Sequence, residues 1–117
     1  MMINTSVWLN IFYFFFRYNF LIYNSSAIYW KYARAFLKPN FKRYLCVSLK
    51  KITDALKDID DADYEWRAFL ERVLIEAYID NKKLDDANNL ANSLLKFIQN
   101  YLPPQFFDEF FEFLVNK

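Results

Sequence analysis

The sequence contains no glycine and no histidine, and only one cysteine and three prolines among 117 residues. Each shortage removes a class of function. A chain of this length ordinarily carries about eight glycines. Loops that cradle phosphate, whether for nucleoside triphosphates or dinucleotides, need glycine where the backbone closes on the anion, so both are excluded. Calcium loops need it at their sharp turn. Without histidine the commonest general base, the commonest transition-metal ligand and every Ser-His or Cys-His nucleophile pair are missing. The lone Cys46 has no partner for an internal disulfide; it suits a reducing compartment and packs as a small hydrophobe. Asp54, Asp58, Asp60, Asp61, Asp63 and Glu65 crowd one stretch, where paired carboxylates offer acid–base chemistry in principle. A solvated loop supplying N-cap oxygens explains the same residues. The chain is expected to be no enzyme, with no cofactor, no metal and no small-molecule substrate.

What the sequence has is apolar surface. Hydrophobic residues make up 56% and aromatic ones 22%, enough for one domain that buries roughly two-thirds of its unfolded surface. Disorder is excluded on the same ground.

Residues 1–19 differ in wording from the rest. Val7-Trp8-Leu9-Asn10-Ile11-Phe12-Tyr13-Phe14-Phe15-Phe16 is an apolar run closed by Arg17. A membrane span needs about 20 apolar residues, and an anchor over 7–23 reaches that length only with Arg17 near its middle. A signal peptide would need a basic start and a small-residue cleavage site, and neither is present. A buried helix and a segment foreign to the fold stand as further readings. The second draws on the Phe-, Tyr-, Asn- and Ile-heavy composition that AT-rich coding sequence yields.

From Phe20 to the end the periodicity is helical. Tyr29, Tyr32, Ala33, Phe36 and Leu37 recur at steps of three and four. Ile28 and Trp30 widen that face, which predicts a helix over 20–37 buried on more than one side. Pro39-Asn40 stops it. Phe41, Leu45, Leu49, Ile52, Ala55, Leu56 and Ile59 mark a second helix over 41–58, with Lys50 and Asp54 on its wet side. Trp66, Phe69, Leu70, Val73, Leu74, Ala77 and Tyr78 mark a third over 63–80. There Arg67–Glu71 and Arg72–Glu76 read as i,i+4 pairs worth tenths of a kcal/mol. Asn81 is the expected left-handed cap in place of glycine. Leu84, Ala87, Ala91, Leu94, Leu95 and Ile98 form a fourth stripe, with Asp85 and Asp86 at its dipole-favoured start. Pro103-Pro104 opens a last helix over 105–115. No stretch alternates with period two, so the chain is expected to be all-α, antiparallel hairpins on short loops.

Leu74, Tyr78, Leu84, Ala87, Ala91 and Leu94 follow the helix–turn–helix spacing of a tetratricopeptide repeat. A small residue at Ala87 lets two helices cross closely, and Tyr78 fills the groove beside it. The match is degenerate: the turn glycine is Lys82 and the early tryptophan position is Glu71. An ordinary helical bundle is the alternative. Charge is divided along the chain, with nine Lys or Arg against one Asp over residues 1–57 and six against thirteen acidic residues over 58–117. The halves can pair across helices or steer different partners. A nucleic-acid reading would offer Lys38, Lys42, Arg43, Lys50 and Lys51 to phosphates, but no base-reading motif accompanies them. A solvated helix face is preferred, and no nucleic-acid partner is expected.

The stretch Arg17-Tyr18-Asn19-Phe20-Leu21-Ile22-Tyr23-Asn24-Ser25-Ser26-Ala27-Ile28-Tyr29-Trp30, with Ala33-Arg34-Ala35-Phe36-Leu37-Lys38-Pro39, resembles the family of cilia- and flagella-associated protein forty-six. The likeness continues through Ser48-Leu49, Asp60-Asp61, Glu65-Trp66-Arg67-Ala68 and Asp85-Asp86-Ala87, and covers roughly residues 17–95. Nothing before Arg17 matches. The resemblance implies a fragment of a much longer tetratricopeptide-like α-solenoid, a structural subunit of the central apparatus of motile cilia and flagella. Its implied partners are ciliary central-pair scaffold proteins near microtubules, and its implied place is the cytoskeleton of the axoneme. A piece of solenoid has open ends, and Phe106, Phe107, Phe110 and Phe111 are the candidate interaction surface there. A small membrane-associated helical protein anchored by residues 7–23 is the competing expectation.

Overall fold

Among the described residues five α-helices follow one another: α1 (Thr5–Ala33), α2 (Cys46–Asp58), α3 (Tyr64–Asp80), α4 (Leu84–Tyr101) and α5 (Pro104–Val115). Short 3-10 turns at Arg34–Phe36 and Lys42–Leu45 lie between α1 and α2. A computed structural model of the chain describes residues 5–116, with side chains from Arg17 onward. No strand occurs among the described residues, so the all-helical expectation holds. α1 runs unbroken across positions 19 and 20. The side chains of the aromatic run 7–16 lie outside the described residues.

The chain turns corners without glycine. Lys38-Pro39-Asn40-Phe41 closes on itself through the Phe41 N–H and the Lys38 carbonyl at 3.0 Å. Proline holds the second position and Asn40 the third, at φ 73°, the residue pattern of a type II turn. The backbone N–H groups of Asn40 and Arg43 both donate to the Asp80 carboxylate, at 3.2 and 3.1 Å, which ties this corner to the end of α3. The ends of α2 and α3 use one device twice. After α3, Lys83 N–H donates to the Tyr78 carbonyl and Lys82 N–H to that of Ile79. After α2, Asp61 N–H and Asp60 N–H donate to Leu56 and Lys57 in the same register. These are Schellman closures, and their left-handed residues are Lys82 (φ 61°) and Asp60 (φ 48°). The left-handed cap expected at Asn81 is thus displaced by one residue. Asn81 sits at φ −90°, because the six-residue bond from Lys83 puts the reversal after the cap. Asp63 opens α3 by accepting from the Trp66 N–H at 3.1 Å, the N-cap role expected of the acidic loop.

Consecutive helices run antiparallel. Tyr64 at the start of α3 meets Tyr101 at the end of α4, ring centroids 5.2 Å apart. Lys42, just before α2, reaches Glu76 late in α3. Tyr29 late in α1 shares a hydrogen bond with Ser48 early in α2. Helices two apart run parallel. From α1 to α3, Tyr23 meets Asp63, Ser26 meets Trp66 and Trp30 meets Phe69. From α3 to α5, Ala68 and Arg72 share a hollow with Phe106 and Glu109, and Glu76 shares one with Glu112 and Asn116. The body is elongated, with extents of 56 × 30 × 22 Å.

α3 lies at the centre, and Leu70, Leu74, Ile75 and Ala77 on it are essentially sealed from water. Leu49 and Leu56 of α2, Leu94 and Ile98 of α4, and Phe110 and Phe113 of α5 complete the core. The helix expected over 20–37 is less buried than its composition predicts. Ala33 is enclosed and Ile22, Tyr29 and Trp30 are partly covered, but Phe20, Leu21, Ile28 and Tyr32 stay exposed. The contacts seen for this part of α1 are with α2 and α3, so its far side faces water.

Candidate interaction surface

The repeat-like positions divide in two. Leu74, Tyr78, Ala87, Ala91 and Leu94 are buried where α3 crosses α4. Ala87 carries only a methyl group on the buried face of α4, and burial raises the Tyr78 phenol above its ordinary pKa. Leu84 is corrected: it is 61% exposed. It is the first residue of α4, at the hairpin tip, after α3 has ended at Asp80.

The aromatic surface also divides. Phe110 and Phe113 point into the core and are not available to a partner, which corrects the expectation for Phe110. Phe106 and Phe107 are half-buried, and Phe111 is 54% exposed. Helical geometry explains the split. Phe106, Phe110 and Phe113 share one face, while Phe107, Phe111 and Leu114 share the next, about 100° round the axis. Phe107 and Phe111 stack with centroids 6.3 Å apart.

α1 is joined to α3 through an aromatic seam. Trp30 meets Phe69 edge to face at 4.9 Å, and Phe69 stacks on Trp66 at 5.8 Å. The Trp66 indole N–H donates to Ser26 Oγ at 2.9 Å, and Ser26 in turn donates to the Tyr23 carbonyl. Tyr23 donates its phenol to Asp63 at 2.7 Å, and that bond, followed by desolvation, holds its proton more tightly than usual. Sequence reasoning missed Ser26. A serine inside an aromatic helix is a signal, since a buried indole N–H needs an acceptor.

A polar cleft of about 320 Å³ opens between α2, α3 and α4. Lys50, Lys57 and Asp86 stand around it, and Arg67 and Glu71 lie at its base. Their i,i+4 spacing predicts a pair worth tenths of a kcal/mol, but the two residues retain only 9% and 7% exposure. The reason is tertiary, because α3 is covered from both sides. Arg67 Nε lies 3.5 Å from Glu71 Oε1, an ion pair without hydrogen-bond geometry, so Nε is a buried donor lacking an acceptor. The guanidinium stacks over Phe97 at 4.0 Å. Burial pushes the Glu71 carboxyl upward, and Arg67 opposes the shift.

The basic stripe is partly neutralised. Lys42 is paired with Glu76 at 2.7 Å and Lys50 with Asp54 at 3.1 Å. Basic and acidic halves therefore do meet across helices at Lys42–Glu76.

No family model matches the chain, and no solved structure matches it. Among the described residues no group of three or more metal-ligating side chains is placed to hold an ion. No described helix is long and apolar enough to cross a membrane. Cys46 is buried and free, and burial raises its thiol pKa, away from the thiolate that reactivity requires. What the described surface offers is exposed apolar side chains on α1 and α5 and the polar cleft between α2, α3 and α4.

Proposed function

We propose that the chain is a non-enzymatic protein-interaction segment built as a tetratricopeptide-like stack of helical hairpins. Its cellular role on this reading is structural, in the central apparatus of motile cilia and flagella, as its likeness to cilia- and flagella-associated protein forty-six implies. One observation carries the architectural part: neighbouring helices are antiparallel and next-but-one helices lie side by side in parallel. In a solenoid each hairpin buries its core against the next in this way. A closed up-and-down bundle instead gathers its helices around one shared core. Lys82, left-handed where such repeats commonly place glycine, and the buried Ala87 and Ala91 at the α3–α4 crossing support the same reading. The ciliary part rests on the resemblance over residues 17–95 and on the sparse chemistry of the composition. Its partners would be other scaffold proteins of the axoneme.

The test is fractionation of the tagged chain from motile cilia. Recovery in detergent-resistant axonemes, and its loss from axonemes lacking the central pair, is the expected result. Recovery in carbonate-resistant membranes would favour an anchored protein and overturn the reading.

A further inference from the structure

We infer that the polar cleft between α2, α3 and α4 is a binding site for a small carboxylate, gripped by the buried Arg67 guanidinium with Lys57 beside it. Neither the helical-repeat reading nor the ciliary one is needed for this.

The cleft holds about 320 Å³, and the polar groups at its base are not all satisfied. Arg67 keeps only 9% of its exposure, yet its Nε–H reaches no acceptor. Buried donors ordinarily have a partner. The nearest one here, Glu71, stands 3.5 Å away without hydrogen-bond geometry. Phe97 covers one face of the guanidinium at 4.0 Å, which fixes its plane, so a ligand meets its edge. Along that edge a guanidinium presents two parallel N–H groups, the fork that the two oxygens of a carboxylate match.

Charge selects the class of ligand. Lys50 is paired with Asp54, which leaves Lys57 and Arg67 against Glu71 and Asp86 among the charges of the cleft. They are not evenly mixed. Lys57 acts on Glu71, whereas Asp86 acts on Lys50 and Tyr78, and Tyr78 lies roughly 16 Å further along α3 than Arg67. Lys57 and Arg67 therefore make one end of the cleft positive, and α4 adds the exposed Ser93 to the lining. Glu71 shares that end. Burial raises its carboxyl, Arg67 and then Lys57 oppose the shift, and Asp54 adds to it. Once Glu71 takes a proton from solvent, the Arg67 cation is buried without a counter-charge, and Glu71 itself becomes a donor. One negative charge restores the balance, and a phosphate dianion exceeds it. Leu74, Leu90 and Phe97 on the walls suit a short apolar body.

A free small acid and the end of a polypeptide carry the same chemistry, so acetate and trialanine are the probes, with trialanine amide as control. The experiment titrates the isotope-labelled full chain and follows the Arg67 Nε–H resonance by nuclear magnetic resonance, at constant ionic strength in sodium chloride. A saturable downfield movement is expected with acetate at pH 6, with a dissociation constant on the order of millimolar, the range open to so small a ligand. Binding is expected to weaken by pH 8, where Glu71 recovers its charge. Glu71→Gln should bind more tightly than wild type at pH 8 and lose the pH dependence. Lys57→Gln, at an exposed position, should weaken binding about threefold. Arg67→Lys keeps the charge without the fork and should weaken it about tenfold, read at the Ser93 amide. If that variant loses helicity by circular dichroism, the Glu71 and Lys57 variants decide. Movement by acetate alone assigns the site to free acids, and movement by trialanine but not its amide extends it to chain ends; both support the inference. No saturable movement with either carboxylate overturns it, as does equal movement with chloride or with trialanine amide. So do phosphate bound as tightly as acetate, binding that is tighter at pH 8, and a Lys57→Gln chain that binds as wild type does. None of these outcomes bears on where the chain resides in a cell, so failure here is distinguishable from failure of the ciliary reading.

Discussion

Replacing Arg67 with methionine removes the cation facing Glu71 and leaves its carboxylate in the base of the polar cleft. Both residues are more than nine-tenths buried, so the discount for solvent screening that applies to surface pairs is small. Removing one partner of a buried ion pair costs about 3–5 kcal/mol. The 3.5 Å separation and the open cleft above the pair place this one near the lower end, about 3 kcal/mol. About 1 kcal/mol of that is the lost stacking of the guanidinium on Phe97. For a domain of this size about 3 kcal/mol lowers Tm by roughly 15 °C. The loss has a pH signature. Burial already raises the Glu71 carboxyl, with Arg67 in opposition, and the substitution moves it further up. A carboxyl whose folded pKa is raised binds its proton more tightly in the folded state. Its charge costs stability above the folded pKa, and that cost falls away as pH drops through it. The Tm deficit of Arg67→Met against wild type is therefore largest near pH 8 and shrinks towards pH 5. Arg67→Met combined with Glu71→Leu is expected within about 1 kcal/mol of wild type, because apolar packing replaces a pair whose desolvation was costly. Thermal melts of wild type, Arg67→Met, Glu71→Leu and the double variant, followed by circular dichroism across that pH range, check both statements. A deficit equal at pH 5 and pH 8, or losses that simply add in the double variant, would refute the reasoning.

Ala87→Leu forces a larger side chain into a buried position on α4 and should cost about 1–3 kcal/mol in urea denaturation. Leu84→Ala, at a site 61% exposed, should stay within about 0.5 kcal/mol; equal losses for the two would reject the assignment of packing positions. Ser26→Ala strips the Trp66 indole N–H of its acceptor and should destabilise by about 1–2 kcal/mol, an effect that Ser25→Ala, on an exposed side chain, should not reproduce. Lys82→Gly relieves a left-handed conformation worth about 1–2 kcal/mol and loses about 0.5–1 to backbone entropy. A net gain of about 0.5 kcal/mol in equilibrium denaturation is expected, whereas Asn81→Gly, at negative φ, should lose stability.

Much of the fold was legible because helical periodicity is a local property. The starts of α3 and α5, the acidic N-cap at Asp63, the proline opening of α5 and the wet-side pair Lys50–Asp54 all follow from residues within a turn or two of each other. The turn chemistry was legible in kind but not in register: Asn81 looked the better left-handed residue, yet the Schellman hydrogen bonds select Lys82. Burial was least legible. Apolar faces on α1 and α5 identify what can be buried, but not which face finds a neighbour. Ile28 and Phe111 therefore remain exposed while Phe110 is enclosed.

The sequence by itself determined the helical class through its three-to-four residue periodicity, and its missing glycine and histidine narrowed the chemistry to be expected of it. Tertiary structure alone decided the environments. Arg67 and Glu71 are buried because α3 is flanked on both sides, and Ser26 serves Trp66 because two helices 40 residues apart in contact run in parallel. The physical reason is one of range. Backbone hydrogen bonding in a helix is satisfied within four residues, whereas desolvation depends on every element that arrives from elsewhere in the chain.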